Sequence, residues 1–91
     1  MIEKQLQDYT IGHKDEALLV TIEVGEEEHQ ILIFRGFTSA LTYATPANPE
    51  DPVIPPGAVL KTIDRVKAPF HPTNPHYIHR GLSWSDFQVL L

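Results

Sequence analysis

The chain contains no cysteine, and its 91 residues include one methionine and one tryptophan. The lack of cysteine excludes disulfides and thiolate metal sites and fits a reducing compartment. Apolar runs are also short, four residues at most as in residues 31–34, which excludes a membrane-spanning helix. The first residues lack the basic and then apolar order of a signal peptide. We therefore expect a soluble, cytoplasmic protein.

Glycine is scarce and scattered, with five residues along the whole chain. A glycine-rich phosphate loop is therefore missing, and no serine lies in a nucleophile elbow. His71, His76 and His79 fall within nine residues, but they lie in a proline-rich segment with only Asp64 as a nearby carboxylate. This pattern is weak for zinc, which needs three or four well-ordered ligands. We expect no enzymatic activity, no cofactor and no metal site, although binding of a metal by these histidines stays open.

Positive charge is in deficit, since the net charge is −5, and the charge is unevenly distributed. Residues 1–30 carry eight acids against Lys4 and Lys14, whereas residues 52–82 carry only Asp64 against four cations, Lys61, Arg65, Lys67 and Arg80. A mixed solvated surface is the simpler interpretation of this split. The alternative is a basic face for an anionic partner.

The stretch 17–35 is the strongest structural signal, because two runs rich in β-branched residues flank a short charged break led by Gly25. This pattern predicts a β-hairpin. A four-residue loop would pair Ile22 with Ile31 and Val20 with Ile33, and is preferred over a three-residue loop that sets Ile33 against Thr21. Leu19, Leu32 and Phe34 make the other face apolar too, as in a strand at mid-sheet or in a barrel.

Other elements follow from spacing. Residues 2–9 predict a short amphipathic helix that Gly12 would end in the left-handed conformation. Residues 39–45 predict a strand, with a bulge or bend at Gly36. The apolar spacing of 57–66 also fits a helical face, but the Pro-Pro-Gly entry and the β-branched content favour a strand. The prolines of 46–57 predict an extended crossover of polyproline II type, and residues 67–80 predict extended surface structure. Ser83 as N-cap, Asp86 at the third helical position and a Leu82–Phe87 staple predict a final helix from 84, whose apolar stripe is Trp84, Phe87 and Leu91.

Together these elements predict one α+β domain over residues 1–91. It would contain a curved antiparallel sheet of about four strands with short helices at the amino and carboxyl ends. Closure of the sheet into a small, partly open β-barrel is left open by the sequence.

The function that these observations favour is non-enzymatic binding, as an adaptor or accessory protein that docks into a larger complex. A protein partner is favoured by the proline-rich loops, the acidic residues 26–28 and the basic region 57–80. The alternative is a single-stranded nucleic acid such as RNA, bound weakly because the chain is acidic overall. The oligomeric state stays open. Candidate partner- or anion-binding residues are Arg35, Lys61, Arg65, Lys67, His76, Tyr77, His79 and Arg80.

Three runs carry a resemblance to a known family: Leu-Ile-Phe-Arg-Gly-Phe-Thr-Ser at 32–39, Ile-Asp-Arg-Val-Lys-Ala-Pro at 63–69 and Asn-Pro-His-Tyr-Ile-His-Arg-Gly-Leu-Ser-Trp at 74–84. With these runs the chain resembles a small family of uncharacterised proteins from cyanobacteria and plant plastids. The resemblance implies a cyanobacterial cytoplasm or a plastid stroma and a role in a photosynthetic cell. It implies no site residues.

Overall fold

The computed structural model describes residues 2–42 and 53–91, which form a five-stranded sheet and two helices. In chain order the elements are α1 Ile2–Gly12, β1 Glu16–Val24, β2 Glu27–Phe34, β3 Phe37–Ala40, β4 Val59–Lys67, β5 Tyr77–Leu82 and α2 Trp84–Gln88. All neighbouring strands are antiparallel, in the order β3-β2-β1-β4-β5. The α+β class is therefore confirmed, with five strands where about four were expected. The described sheet is open, with β3 and β5 as its edges.

The central strand β1 is buried on both faces, as its apolar pattern predicted. The two helices cover one side of the sheet, which we call the helix face. Alternate residues of β1 and its neighbours point to this side and pack against both helices. Together they form the core: Leu6, Tyr9, Leu18, Val20, Ile22, Ile31, Ile33, Ile63, Leu82 and Phe87. Ala17, Leu19 and Val66 are buried outside this cluster, on what we call the second face.

The hairpin forms, but the predicted register is wrong by two residues. Leu18 lies opposite Ile33 and Val20 opposite Ile31, so the turn contains only Gly25 and Glu26. Gly25 has φ 64°, as required of the first residue in a two-residue type II′ turn. A shift of two residues leaves every side chain on its predicted face, which is why Ile22 and Ile33 are both fully buried.

The second turn explains Gly36, which was expected to mark a bulge or bend in a strand. Arg35 and Gly36 have φ values of 50° and 86° and join β2 to β3 as a two-residue turn of type I′. The Gly36 amide donates to Thr10 Oγ1 at 2.9 Å, and a Cβ on Gly36 would lie 3.0 Å from the Ile11 side chain. Glycine therefore permits both the turn and the close approach of α1.

The predicted third strand, 39–45, begins two residues earlier, since β3 is Phe37–Ala40. Residues 43–45 and most of the expected proline crossover, including Pro46, Pro49 and Pro52, lie outside the described residues. The strand expected at 57–66 is confirmed as β4. Residues 77–80 were expected only as extended surface structure, and instead they begin the edge strand β5.

The helices form at both ends as expected. Helix α1 ends at Gly12 without the positive φ that was predicted for it. The capping box of α2 is confirmed: Ser83 Oγ accepts from the Asp86 amide at 3.0 Å, and Asp86 Oδ2 accepts from the Ser83 amide at 3.4 Å. Phe87 enters the core, whereas Leu91 is 54% exposed and was wrongly placed in the buried stripe. Neither described helix is long and apolar enough to span a membrane.

Candidate functional site: a buried ionic network and an aromatic groove

A buried polar network joins α1 to the sheet on the helix face. Glu16, at the start of β1, is 7% exposed. Its Oε1 accepts from Tyr9 Oη at 3.0 Å and from Arg65 Nε at 2.8 Å, while Oε2 accepts from Arg65 Nη2 at 3.1 Å. Both oxygens of a desolvated carboxylate are therefore satisfied, and each accepts from Arg65 in the bidentate geometry that suits guanidinium.

This geometry shifts the pKa of each member of the network. Hydrogen bonds from Arg65 lower the pKa of Glu16, against the opposite effect of burial, and the hydrogen bond from Tyr9 adds to the lowering. Burial, followed by the hydrogen bond to Glu16, raises the pKa of Tyr9. The Glu16 carboxylate also raises the pKa of Arg65. The network thus holds an ionised pair beside a protonated phenol.

His13 borders the same network. Its ring stacks on Tyr9 with centroids 3.9 Å apart, and Nδ1 lies 2.8 Å from the Tyr9 carbonyl oxygen, to which it donates in the tautomer protonated there. Tyr, Glu, Arg and His are residue types found in active sites, but here Glu16 is saturated with donors and shielded from solvent. This arrangement positions α1 on the sheet. Sequence reasoning missed Tyr9 and Glu16, because only the β1–β4 register brings Glu16 and Arg65 together.

The eight candidate residues do not form one basic face. Arg65 belongs to the buried network, and Lys61 Nζ lies 3.4 Å from Glu23 Oε2. Two cations of the region 57–80 are thus paired with acids of the first third of the chain. Within the described residues, no carboxylate forms an ion pair with Lys67 or Arg80. Arg35 lies in the β2–β3 turn, near the opposite edge of the sheet, where its guanidinium is 4.9 Å from the centre of the Phe34 ring.

Charge is instead separated along the strands. The β1–β2 turn and its flanks carry Glu23, Glu26, Glu27 and Glu28, which we call the acidic end. At the other end of the sheet, Lys67 lies opposite Glu16 in the register, and Arg35 follows β2. The nine residues of β1 separate these ends by about 26 Å. The acidic and basic parts of the sequence are therefore only partly separated in space, because each end of the sheet contains an acid that is paired with a cation.

An aromatic groove lies on the second face. It has a volume of about 410 Å³ and is lined by Leu19, Gln30, Leu41, Thr42, Phe70, Pro72, Pro75 and Tyr77. We call it the Tyr77 groove. The Arg80 guanidinium stacks on the Tyr77 ring at 4.2 Å from its centre, which places a cation at the margin of the groove. Of the candidates, Tyr77 and Arg80 are thus brought together.

Two backbone features hold the wall of this groove. Between Ile63–Leu82 and Arg65–His79, β5 has one residue more than β4, and the amide of Gly81 at this bulge donates to Asp64 Oδ1 at 2.7 Å. Farther along, the Lys67 amide donates to the His76 carbonyl at 2.8 Å, and the Ala68 amide to the Asp15 carbonyl at 2.9 Å. Asp64, considered earlier as a metal neighbour of the histidines, therefore fixes the strand that carries Arg80.

The remaining candidates are placed separately. His76 and His79 are exposed, and His79 lies opposite Arg65 in the register, on the helix-face side of β5 rather than beside the Tyr77 groove. Among residues 2–42 and 53–91, no three side chains of histidine, aspartate or glutamate are grouped as a metal site requires. The expected absence of a metal site nevertheless stays a prediction.

The described elements define a small α+β domain, an open antiparallel sheet with a helix from each end of the chain packed on one face. A family model described as a domain of unknown function, DUF7734, matches residues 3–91, and the chain belongs to this family. No curated protein and no solved structure matches the chain.

Proposed function

We propose that the domain is a non-enzymatic adaptor that docks into a larger complex by binding a protein partner in the Tyr77 groove. The observation that carries this proposal is the groove itself, a concave surface of about 410 Å³ lined mainly by apolar and aromatic side chains, with Arg80 stacked at its margin. Tyrosine and arginine are the residue types enriched among energetically dominant interface residues. Proline walls add rigidity, which lowers the entropy lost on binding.

The charge around the groove indicates the chemistry of the partner. No carboxylate is among the described residues that line it, and Arg80 supplies a cation. A partner segment with an apolar or aromatic side chain and a neighbouring carboxylate would complement both features. A single-stranded nucleic acid could also stack on Tyr77. The pairing of Lys61 and Arg65 with Glu23 and Glu16 removes two of the cations that such binding would use, and this favours protein.

We further propose that the partner belongs to a photosynthetic cell, and that the domain works in a cyanobacterial cytoplasm or a plastid stroma. The support is the likeness of residues 32–39, 63–69 and 74–84 to proteins of those organisms. The family match agrees with kinship over residues 3–91 and gives no origin.

A capture experiment with matched variants tests the adaptor. The tagged chain would be incubated with a cyanobacterial lysate, with and without nuclease treatment, and retained proteins would be quantified by mass spectrometry. We expect a defined set of proteins to be retained by the native chain and lost from Arg80→Glu. The matched control is Arg35→Glu, which makes the same change of charge. It also removes an arginine that stacks on an aromatic ring, but this arginine lies near the edge of the sheet opposite to Arg80. Equal retention by all three would refute the groove, and loss of every partner on nuclease treatment would favour nucleic acid.

A further inference from the structure

A second concave site lies on the helix face, at the opposite end of the molecule from Lys67. It is a pocket of about 270 Å³ between the start of α1 and residues 53–60, with Ile22 as its floor and Ile2, Ile54, Pro56 and Leu60 among its walls. We call it the Ile22 pocket. Pockets for whole small molecules are usually about 300–1,000 Å³. This one is smaller and almost entirely apolar, which suits one large aliphatic or aromatic side chain.

Among the described residues that line this pocket, Glu3 is the one that carries a charge. Its carboxylate accepts from the Ile54 amide at 2.8 Å, the Val53 amide at 3.4 Å and Gln7 Nε2 at 3.3 Å. All three donors are neutral, so they orient the carboxylate without neutralising its charge. The nearby Lys4 lies 3.6 Å from Asp8 and not against Glu3. An apolar pocket therefore has a fixed negative charge at its edge.

The acidic end continues this charge beyond the pocket. Ile22 lies opposite Leu60, Glu23 opposite Val59, and Val24 opposite Glu27, so the pocket is within two residues of the β1–β2 turn. Glu26, Glu27 and Glu28 are exposed, Glu27 Oε2 lies 3.1 Å from His29 Nε2, and the lysine closest along the strands, Lys61, is engaged with Glu23. Glu23 and Glu28 also face each other directly, an arrangement of like charges that costs stability.

We propose that the Ile22 pocket binds a basic segment of a partner protein, which inserts one leucine-sized or aromatic side chain and sets lysine or arginine against Glu3 and the acidic end. The apolar anchor supplies buried area, and the charges supply orientation and association rate. This site is distinct from the Tyr77 groove. An experiment that refutes binding in the Ile22 pocket therefore leaves the proposed function untouched, and the reverse also holds. Together, two sites of opposite preference would let one small domain bridge two partners.

The direct test is an NMR titration of the ¹⁵N-labelled chain with synthetic twelve-residue peptides. The probe has a central leucine flanked by lysines; one comparison peptide replaces the leucine by alanine, and the other replaces the lysines by glutamates. We expect the lysine–leucine probe to shift the amides of Ile2, Ile54, Ala58 and Leu60, and to bind at least tenfold tighter than either comparison. Shifts of equal size with the alanine peptide would show simple charge attraction and overturn the proposal, as would no shift at millimolar probe.

Variants distinguish binding in the Ile22 pocket from attraction of the peptide to acidic residues in general. Ala58→Phe should fill the pocket and weaken the lysine–leucine probe at least tenfold, with an otherwise native amide spectrum as the check of folding. Glu26→Lys requires no repacking and should weaken it at least threefold. The matched control is Asp15→Lys, which makes the same charge change at an exposed position beyond the other end of β1. An equal loss in Asp15→Lys and Glu26→Lys would refute a site at the acidic end. None of these changes should affect capture through Arg80.

Discussion

Arg65 shows at the scale of one residue how a strand register decides the role of a cation. The sequence places it among four basic residues of 52–82, where an exposed, ligand-binding role is a natural expectation. Pairing of β4 with β1 instead points its side chain toward Glu16 and Tyr9, where 20% of the arginine side chain and 9% of the glutamate side chain remain exposed. A partly buried pair of this kind is costly to break, because the remaining charge loses its partner without regaining water.

The first prediction follows from this network. Arg65→Met should lower the free energy of unfolding by about 3 kcal/mol, since it leaves the Glu16 carboxylate buried without its cation. The double variant Glu16→Gln, Arg65→Met should lose much less, because the neutral amide still accepts from Tyr9. Urea denaturation of the three proteins measures both values. A single variant as stable as the native chain would show that the pair carries no structural role.

The second prediction concerns the stability of the fold at acid pH. The pKa of Glu16 in the folded state lies below its unfolded value of about 4.5 because of the hydrogen bonds from Arg65. Its contribution to stability is therefore fully present above the unfolded pKa and is lost as the pH falls through the folded pKa. We expect unfolding free energy to fall less between pH 5 and pH 2 in Glu16→Gln than in the native chain. Identical slopes in that range would contradict the prediction.

The same network makes an opposite prediction at alkaline pH. Burial, with the hydrogen bond to Glu16, raises the pKa of Tyr9 in the folded state above about 10. Its stabilising contribution is present below the unfolded pKa and is lost as the pH rises through the folded pKa. Tyr9→Phe should therefore flatten the alkaline decline in stability, and it should reduce the acid decline less than Glu16→Gln does, because the hydrogen bond from Tyr9 is only one of the causes that lower the pKa of Glu16. Ultraviolet titration of the native phenols checks the pKa directly, and Tyr9→Phe should remove a transition that lies above the ordinary value for tyrosine.

At the scale of elements, α2 offers the sharpest test, because it is a five-residue helix that holds Phe87 in the core. Ser83→Ala removes the acceptor for the Asp86 amide and should lower the unfolding free energy by roughly 0.5–2 kcal/mol. Ser85→Ala is the control, since Ser85 is exposed in the same helix and outside the capping box. The two denaturation midpoints should differ; equal midpoints would mean that the cap contributes nothing.

The elements that sequence reasoning found have local signals. The cap at Ser83, the amphipathic spacing of Leu6 and Tyr9, and the β-branched runs of β1, β2 and β4 depend on neighbours a few residues apart. The hairpin register failed because a four-residue loop was assumed at the charged break. Gly25 followed by any residue satisfies a two-residue type II′ turn, and that turn moves Val20 from Ile33 to Ile31.

Strand β5 was missed because its sequence does not alternate. Two irregularities interrupt its pairing with β4, one near Ile78 and one at Gly81, so the period of two is broken twice in six residues. Such bulges, like the short length of β3, also protect an open sheet from pairing with other chains. The Tyr77 groove could not be foreseen either, because its lining residues come from β1, β2, β5 and the segments 41–42 and 70–75, which only the folded sheet brings together on the second face.

At the scale of the whole molecule, the fold determines where the acidic and basic residues of the sequence lie relative to one another. Residues 1–30 are acidic, yet Glu16 and Glu23 lie at opposite ends of β1 and each engages a cation of β4. At the acidic end, Glu26 and Glu28 form no ion pair among the described residues, and Glu27 Oε2 lies 3.1 Å from His29 Nε2. Lys67 and Arg80 are the cations of region 57–80 without an ion pair to a described carboxylate. Any anionic partner must therefore be bound by fewer charges than the composition indicates.

The last prediction concerns nucleic acid and uses this reduced count. Each phosphate neutralised on a single strand contributes about −0.7 to the slope of log K against log salt. Two cations give about −1.4, whereas all four of region 57–80 would give about −2.8. We expect a labelled oligouridine to bind weakly at low salt, with the smaller slope in fluorescence anisotropy, and not measurably at physiological salt.

Variants decide which cations take part in that binding. Lys67→Glu, Arg80→Glu should abolish the low-salt signal while the protein stays folded. Lys61→Glu, Arg65→Glu places new carboxylates beside Glu23 and Glu16, so it should unfold part of the chain and lower any remaining signal through lost structure; circular dichroism separates that loss from lost contact. Submicromolar binding at physiological salt, with a slope near −2.8, would mean that RNA displaces both internal ion pairs. It would replace the adaptor by a nucleic-acid-binding function, because no protein-docking role requires those pairs to open.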